Sequence, residues 1–269
     1  GWEYCGSSLS GLFVQRRNLM RPAFYRMLKD ILRFNRCSPA LLSDADDQLT
    51  LGEYVAREGF GREFLEHYLI PMGAAIWSAP PSRMREFPVR YFVRFCANHG
   101  LLSLTDRPQW RTVSGGSARY IEAIRQLRPF DVRLNSPVQQ LTRSRDYVTV
   151  GAGQALAERF DHAIVAVHAD QALKMLSEPT PAELAILGSF AYQRNEALLH
   201  TDSSVMPRRR RAWASWNYRV PATSQATVAV TYWLNRLQRI TAPREFCLTL
   251  NGDGAVDPAS VLRRITYHH

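Results

Sequence analysis

Between Arg21 and Phe34 the apolar residues Phe24, Met27, Leu28, Ile31 and Leu32 recur with helical spacing, and arginine and lysine fill the positions between them. That period predicts an amphipathic helix with a basic outer face. A loop is expected through Ser38-Pro39 and the acidic run Asp44 to Asp47. Thr50 then suits the cap of a short helix over Leu51–Arg57, with Glu53 three residues on, as a capping box requires. Gly59 and Gly61 set that piece apart from Glu63–Leu69, whose Phe64, Leu65, Tyr68 and Leu69 mark another apolar face. Pro71 reads as a fresh helical start running to Ile76, with Pro80-Pro81 closing it. A further helix is expected over Pro88–Cys96.

The texture changes at Gln109. Trp110–Val113 reads as extended, Ser114-Gly115-Gly116-Ser117 as a turn, and Ala118–Leu127 as a helix. Strands are predicted at Val132–Leu134, Val138–Thr142, Tyr147–Val150 and Ala163–Val167. The last is a continuous apolar run of the kind found in strands buried on both faces. A helix over Asp170–Leu176 follows it, and Pro179-Thr180-Pro181 breaks the chain. Beyond Ser189, period-two stretches at Asn195–His200, Ala212–Tyr218, Thr227–Trp233 and Phe246–Leu250 predict a second sheet.

Composition narrows the class. With 269 residues and 46% hydrophobic against 22% charged positions, the chain can bury one large core or two modest ones, which excludes a wholly disordered chain. The 34 basic residues exceed the 24 acidic ones, a formal charge of +10, which favours an acidic partner, an anionic cofactor or a membrane surface. Cys5, Cys37, Cys96 and Cys247 are scattered without paired spacing, so they read as reduced thiols of a cytoplasmic protein, and no metal site is expected. No apolar run approaches a spanning helix. The chain opens at Gly1-Trp2-Glu3-Tyr4 without methionine and stops at Tyr267-His268-His269, which reads as a fragment, a processed chain or part of a longer sequence.

Candidate chemistry is sparse. Gly115-Gly116-Ser117 before a helix can offer backbone N–H groups to a phosphate, although a tight turn needs the glycines for its own geometry. No G-x-G-x-x-G or P-loop spacing is present. His168 stands at the end of the apolar Ala163–Val167 run, where an open α/β sheet places ligand contacts; the other histidines read as structural. No G-x-S-x-G frames a hydrolase serine. Arg208 to Arg211 suit a solvated hairpin loop or an anion, and without a nucleic-acid module nucleic acid is not an expected partner. Trp213, Trp216, Tyr218, Tyr232 and Trp233 crowd the late strands, where alternation puts Trp213, Ser215 and Asn217 on one face and Trp216 and Tyr218 on the other. They serve a pocket wall or core packing equally well.

In their order along the chain, Tyr4–Leu19, Pro71–Ser78, Trp110–Ser117, His168–Leu173, His200-Thr201-Asp202, Ala212–Tyr218 and Thr231–Gln238 together resemble the middle of a flavin-containing amine-oxidase-like protein. The resemblance implies a combined α/β and α+β class: an incomplete Rossmann-like FAD-binding domain with an inserted substrate domain of helices on a mixed sheet. It implies domains at 1–110 (substrate, helical), 111–185 (partial FAD domain) and 186–269 (substrate, strand-rich). The cofactor implied is FAD, with a dinucleotide glycine motif before Gly1 and a last flavin-contacting segment after His269. Val138 resembles the valine near the adenine end, His168 stands where many relatives have proline, and Gly115, Gly116 and Ser117 resemble the returning loop. Trp213, Trp216 and Trp233 are the catalytic-pocket candidates. No lysine near flavin N5 is supplied by this region.

The implied activity is FAD-dependent hydride removal from an apolar or amine substrate by a bacterial-type oxidoreductase. Two alternatives stand beside it: a non-catalytic lipid- or protein-binding domain, and a desaturase-like enzyme acting on lipid or isoprenoid. Expected partners are a small molecule, apolar or lipid-like, and a membrane surface contacted peripherally by an otherwise cytoplasmic protein.

Overall fold

The helix announced by Phe24 and its neighbours forms over Pro22–Cys37, with Pro22 at its first turn and Phe24, Met27 and Phe34 buried. Burying each such side chain contributes about 1.5–3 kcal/mol. The computed structural model describes residues 2–6, 8–43, 48–104, 108–109, 111–128, 130–153, 157–220, 228–252 and 254–268. The expectations for Asp44 to Asp47, Trp110 and Thr227 fall outside these residues. Among the described residues no helix is long and apolar enough to cross a membrane.

The capping box at Thr50 is present: its hydroxyl accepts from the Glu53 N–H at 3.2 Å, and the Glu53 carboxylate accepts from the Thr50 N–H at 2.9 Å. It starts the helix Leu51–Arg57. Pro71 does not open a new helix. A turn of α-helix at Arg62–Phe64 runs through a π-helical turn, Leu65–Leu69, directly into Ile70–Trp77. In the wider turn the Ile70 N–H reaches the Leu65 carbonyl, so the proline's missing donor is absorbed where the ladder is already displaced. Pro81 likewise begins a short helix, Pro81–Arg85, instead of only ending the one before. The helix Val89–Asn98 ends in a left-handed Gly100. There the Leu101 N–H bonds Cys96 O at 2.8 Å and the Gly100 N–H bonds Ala97 O at 3.1 Å, the Schellman arrangement.

The strands are β1 (Val138–Arg143), β2 (Val148–Ala152), β3 (Glu158–Phe160), β4 (Arg194–His200), β5 (Trp216–Arg219), β6 (Ala229–Trp233), β7 (Cys247–Leu250) and β8 (Val261–His268). They form two sheets, ordered β1-β2-β3 and β5-β6-β7-β4-β8. The expected mixed sheet is antiparallel: β5, β6, β7 and β4 pair antiparallel in turn. Thr201 N–H donates to Ser260 O while Arg264 pairs with Glu196, so β8 also runs against β4.

The chain divides into two compact units, Gly1–Ser117 with Asn195–Tyr267, and Ala118–Arg194 with His268. In the larger unit the core joins Phe34, Phe64, Phe92 and Met84 of the helices to Val228 and Val230 of the sheet side, with Tyr218 and Tyr232 packed against it.

The smaller unit departs further from expectation. Val132–Leu134 forms no strand, and Ala163–Val167 is not a buried strand but an irregular segment with no ladder to the described residues, with Ile164 96% exposed. An apolar run becomes a doubly buried strand when neighbouring strands and covering helices flank it, and the three short strands of this unit pair among themselves instead. Pro179-Thr180-Pro181 also does more than break the chain. Thr180 caps the helix Pro181–Gly188 with a second capping box to Glu183. Glu183 in turn holds Arg143 of β1 at 2.6 Å and 2.9 Å, tying this helix to the sheet.

Candidate functional site

The late aromatic residues separate into two groups. Ala212 lies in a 3-10 turn, Arg210–Ala212, and β5 begins at Trp216, so Trp213 and Asn217 do not share a strand face as alternation suggested. The Asn217 side chain folds back to close the intervening turn, accepting from the Ala214 N–H and donating to the Ala214 carbonyl, each at 2.9 Å. Trp213 is therefore set inward, 8% exposed. Its ring meets Trp233 edge to face, 5.1 Å between centroids.

Both indole N–H groups are committed. Trp213 Nε1 donates to Pro207 O at 2.7 Å, and Trp233 Nε1 donates to the Glu245 carboxylate at 2.6 Å. The Arg210 guanidinium pairs with that same carboxylate and lies over Trp213, 4.7 Å from its centroid. This is a self-satisfied cluster of two indoles, a cation and a carboxylate, completed by buried Met206 and Cys247. Trp216 stands outside it on β5, 38% exposed and beside Tyr218. Sequence reasoning grouped the three tryptophans; the structure brings Trp213 and Trp233 together and leaves Trp216 the accessible one.

Across β4, β7 and β6 runs a buried polar chain that the sequence did not single out as chemistry. His200 Nδ1 accepts from the Asp202 N–H at 3.2 Å, which leaves the proton on Nε2, and Nε2 donates to Thr249 Oγ1 at 2.7 Å. Thr249 Oγ1 lies 2.9 Å from Thr231 Oγ1. Burial holds the His200 imidazole below its ordinary titration range. Burial also pushes the thiols of Cys96 up to about 12 and Cys247 up to about 11, so neither is a ready thiolate.

Gly115 and Gly116 both have positive φ, as the predicted turn requires, but the Gly116 N–H is spent on Val113 O at 3.0 Å. Ser117 is exposed immediately before the helix Ala118–Leu127. Val138 opens β1 opposite Ala152, next to a register shift. His168 precedes the helix Ala169–Met175, is exposed, and stacks on Tyr192 with 4.6 Å between centroids. Tyr192, which no pattern marked, takes the capping role that the His168 side chain leaves open: its hydroxyl accepts the Ala169 N–H at 2.8 Å. Among the described residues no group of three His, Cys, Asp or Glu side chains is placed to hold a metal.

In the turn the Gly116 N–H is used, the apolar 163–167 segment is exposed, and the sequence holds no G-x-G-x-x-G fingerprint.

Similarity to known proteins agrees with this architecture. No curated protein matches the chain at a significant level. In fold it is similar to the cyclohexylamine oxidase of Brevibacterium oxydans IH-35A, with a TM-score of 0.58 at 13% identity, over 90% of this chain and 60% of that one. A fatty acid isomerase of P. acnes that produces CLA matches with a TM-score of 0.58 at 12% identity, over 91% of this chain and 62% of that one. Wild-type putrescine oxidase bound to putrescine gives 0.58 at 14% identity, over 83% and 51%. The chain thus spans about half to three-fifths of the length of these solved structures. The family described as flavin containing amine oxidoreductase matches residues 11–240, and the chain belongs to that family.

Proposed function

We propose that the chain is the central part of an FAD-dependent oxidoreductase that removes a hydride from an apolar or amine substrate. The family match across residues 11–240 carries the reading. When bound, a flavin supplies the two-electron acceptor, and the protein's task is to orient the substrate C–H bond and exclude water. In this reading the complete cofactor site needs polypeptide beyond these 269 residues. The exposed apolar segment 163–167 supports that requirement, as does the helix Ala118–Leu127, whose Ile121, Ile124 and Leu127 are all exposed. Apolar faces of that kind are rarely left to water.

Trp216 is the pocket residue we assign to substrate contact, with Trp213 and Trp233 bracing the strand ends through their hydrogen bonds. Val138, His168 and the Gly115 to Ser117 turn are the proposed contributions to the cofactor side. The open faces equally favour a second reading, a lipid- or protein-binding domain without redox chemistry, and a peripheral membrane contact belongs with either.

The test is to isolate the natural polypeptide that carries these residues, denature it, and assay released flavin and reduction of the bound flavin by amines and unsaturated lipids. Bound FAD that is reduced by one of these substrates supports the oxidoreductase reading. Lipid binding with no flavin rejects it in favour of the second.

A further inference from the structure

The arginine run lies in more than a solvated hairpin. Arg208, Arg209, Arg210 and Arg211 line one side of a cleft of about 660 Å³, and Arg16 and Arg17, nearly two hundred residues earlier in the chain, line it as well. All six are exposed. Among the described residues, carboxylates also reach this cluster. Glu245 pairs with Arg210, and Glu3 accepts the backbone N–H of Arg208 at 3.2 Å. Guanidinium groups gathered on one cleft from two distant segments make a positive local field that favours an entering anion.

The backbone that carries these arginines is fixed on both sides. In the late segment the Ala212 N–H bonds Arg209 O at 2.8 Å and the Trp213 N–H bonds Arg210 O at 3.1 Å. Trp213 Nε1 anchors Pro207 O, and Arg210 itself is held over the two indoles. In the early segment, Arg16 and Arg17 ride a 3-10 turn whose Asn18 is fully buried and whose Asn18 N–H bonds Gln15 O at 2.8 Å. The same turn contains unspent polar capacity, since Gln15 Oε1 and both side-chain polar atoms of Asn18 are buried without a hydrogen-bond partner. Planar guanidinium forks carried on fixed backbone match the oxygen geometry of a phosphoryl group.

We propose that this cleft is a binding site for a phosphate ester, gripped by Arg16 from one segment and by Arg208, Arg209 and Arg211 from the other. Arg210 is the positioning residue that holds the second segment against Trp213 and Trp233. The inference does not depend on the flavin reading, because neither the site nor its probes involve redox chemistry.

Calorimetric titration of the chain with glycerol 3-phosphate, and co-sedimentation with phosphatidylcholine vesicles with or without phosphatidic acid, test it directly. Saturable binding to the soluble ester, to the phosphatidic acid vesicles, or to both supports the site; the pattern tells a free ester from a lipid headgroup. In either assay Arg16→Gln alone and Arg209→Gln/Arg211→Gln together each weaken binding about tenfold or more. Arg209→Lys/Arg211→Lys also weakens it, because the charge remains and the fork is lost. The control Arg125→Gln/Arg128→Gln, which removes two charges from the smaller unit, changes it less than about twofold. Each variant is first shown to melt as the parent does, and Arg16→Gln, on the opposite segment, serves should the paired variant misfold. Binding to neither probe overturns the proposal, as does full retention in the lysine variant or an equal loss in the control.

Discussion

The hydroxyl of Tyr4 donates to the backbone carbonyl of His67 at 3.1 Å, across 63 residues of sequence. The acceptor is available because the residue four positions on is Pro71, which has no N–H to return. Tyr218 Oη reaches the same carbonyl at 3.4 Å. One proline thus connects the N-terminal segment, the π-turn and β5. Tyr4→Phe is expected to cost about 1 kcal/mol, and the double change with Tyr218→Phe about 1–3 kcal/mol, because a part-buried carbonyl is then left unpaired. Urea denaturation of the single and double variants measures both; a double variant as stable as the parent contradicts the assignment.

His200 makes the larger unit sensitive to mild acid. Its folded value lies below the ordinary 6.5, chiefly through burial. Above 6.5 the ring is neutral in both folded and unfolded chains, so its contribution is intact; as pH falls below 6.5 toward the folded value, the unfolded state binds the proton first and stability declines. An NMR titration is expected to place the His200 midpoint below 6.5. Thr249→Val removes the acceptor of Nε2–H and costs about 1–3 kcal/mol.

Glu183 gives the smaller unit a different acid limit. Hydrogen bonds from the Arg143 guanidinium, then from the Thr180 backbone, hold its carboxyl at about 2. Its stabilising effect is present above the ordinary 4.5 and disappears as pH falls from there through about 2. Thermal melts of Glu183→Gln are expected to lie below those of the parent at neutral pH and to converge with them near pH 2. A constant offset across that window would show that the charge is not responsible.

Gly100 ends the helix Val89–Asn98 with φ of 64°, and a Cβ there would lie 2.3 Å from Pro108 Cδ. Gly100→Ala meets both the left-handed penalty and that overlap, so a loss of more than about 1 kcal/mol is expected. Gly59→Ala, with φ of 63° and open space around it, is the comparison and should lose less.

Local signals survived folding where they were complete in themselves. The spacing of Phe24, Met27 and Leu28 and the Thr50–Glu53 box describe helices that need no distant partner to be recognised. Pro181 was misleading because the same residue that breaks a helix interior is well placed at its first turn, and Thr180 with Glu183 supplied the missing clue. Ala163–Val167 failed for the opposite reason: a uniform apolar run specifies burial but not the strands that provide it. At the candidate site, the aromatic concentration was legible, while its division into a braced Trp213–Trp233 pair and an accessible Trp216 depended on the turn closed by Asn217. The meeting of Arg16 and Arg17 with Arg208 to Arg211 is long-range geometry, to which no local period points.

The most direct test of the account is a flavin-binding measurement made in parallel on the 269-residue chain and on the natural polypeptide that carries it, each purified, denatured and assayed for released FAD. The account predicts FAD with the natural polypeptide and little or none with the 269 residues alone. A natural polypeptide free of FAD even after incubation with the cofactor would contradict the oxidoreductase reading, and stoichiometric FAD on the 269 residues would contradict the proposal that the complete cofactor site needs further polypeptide.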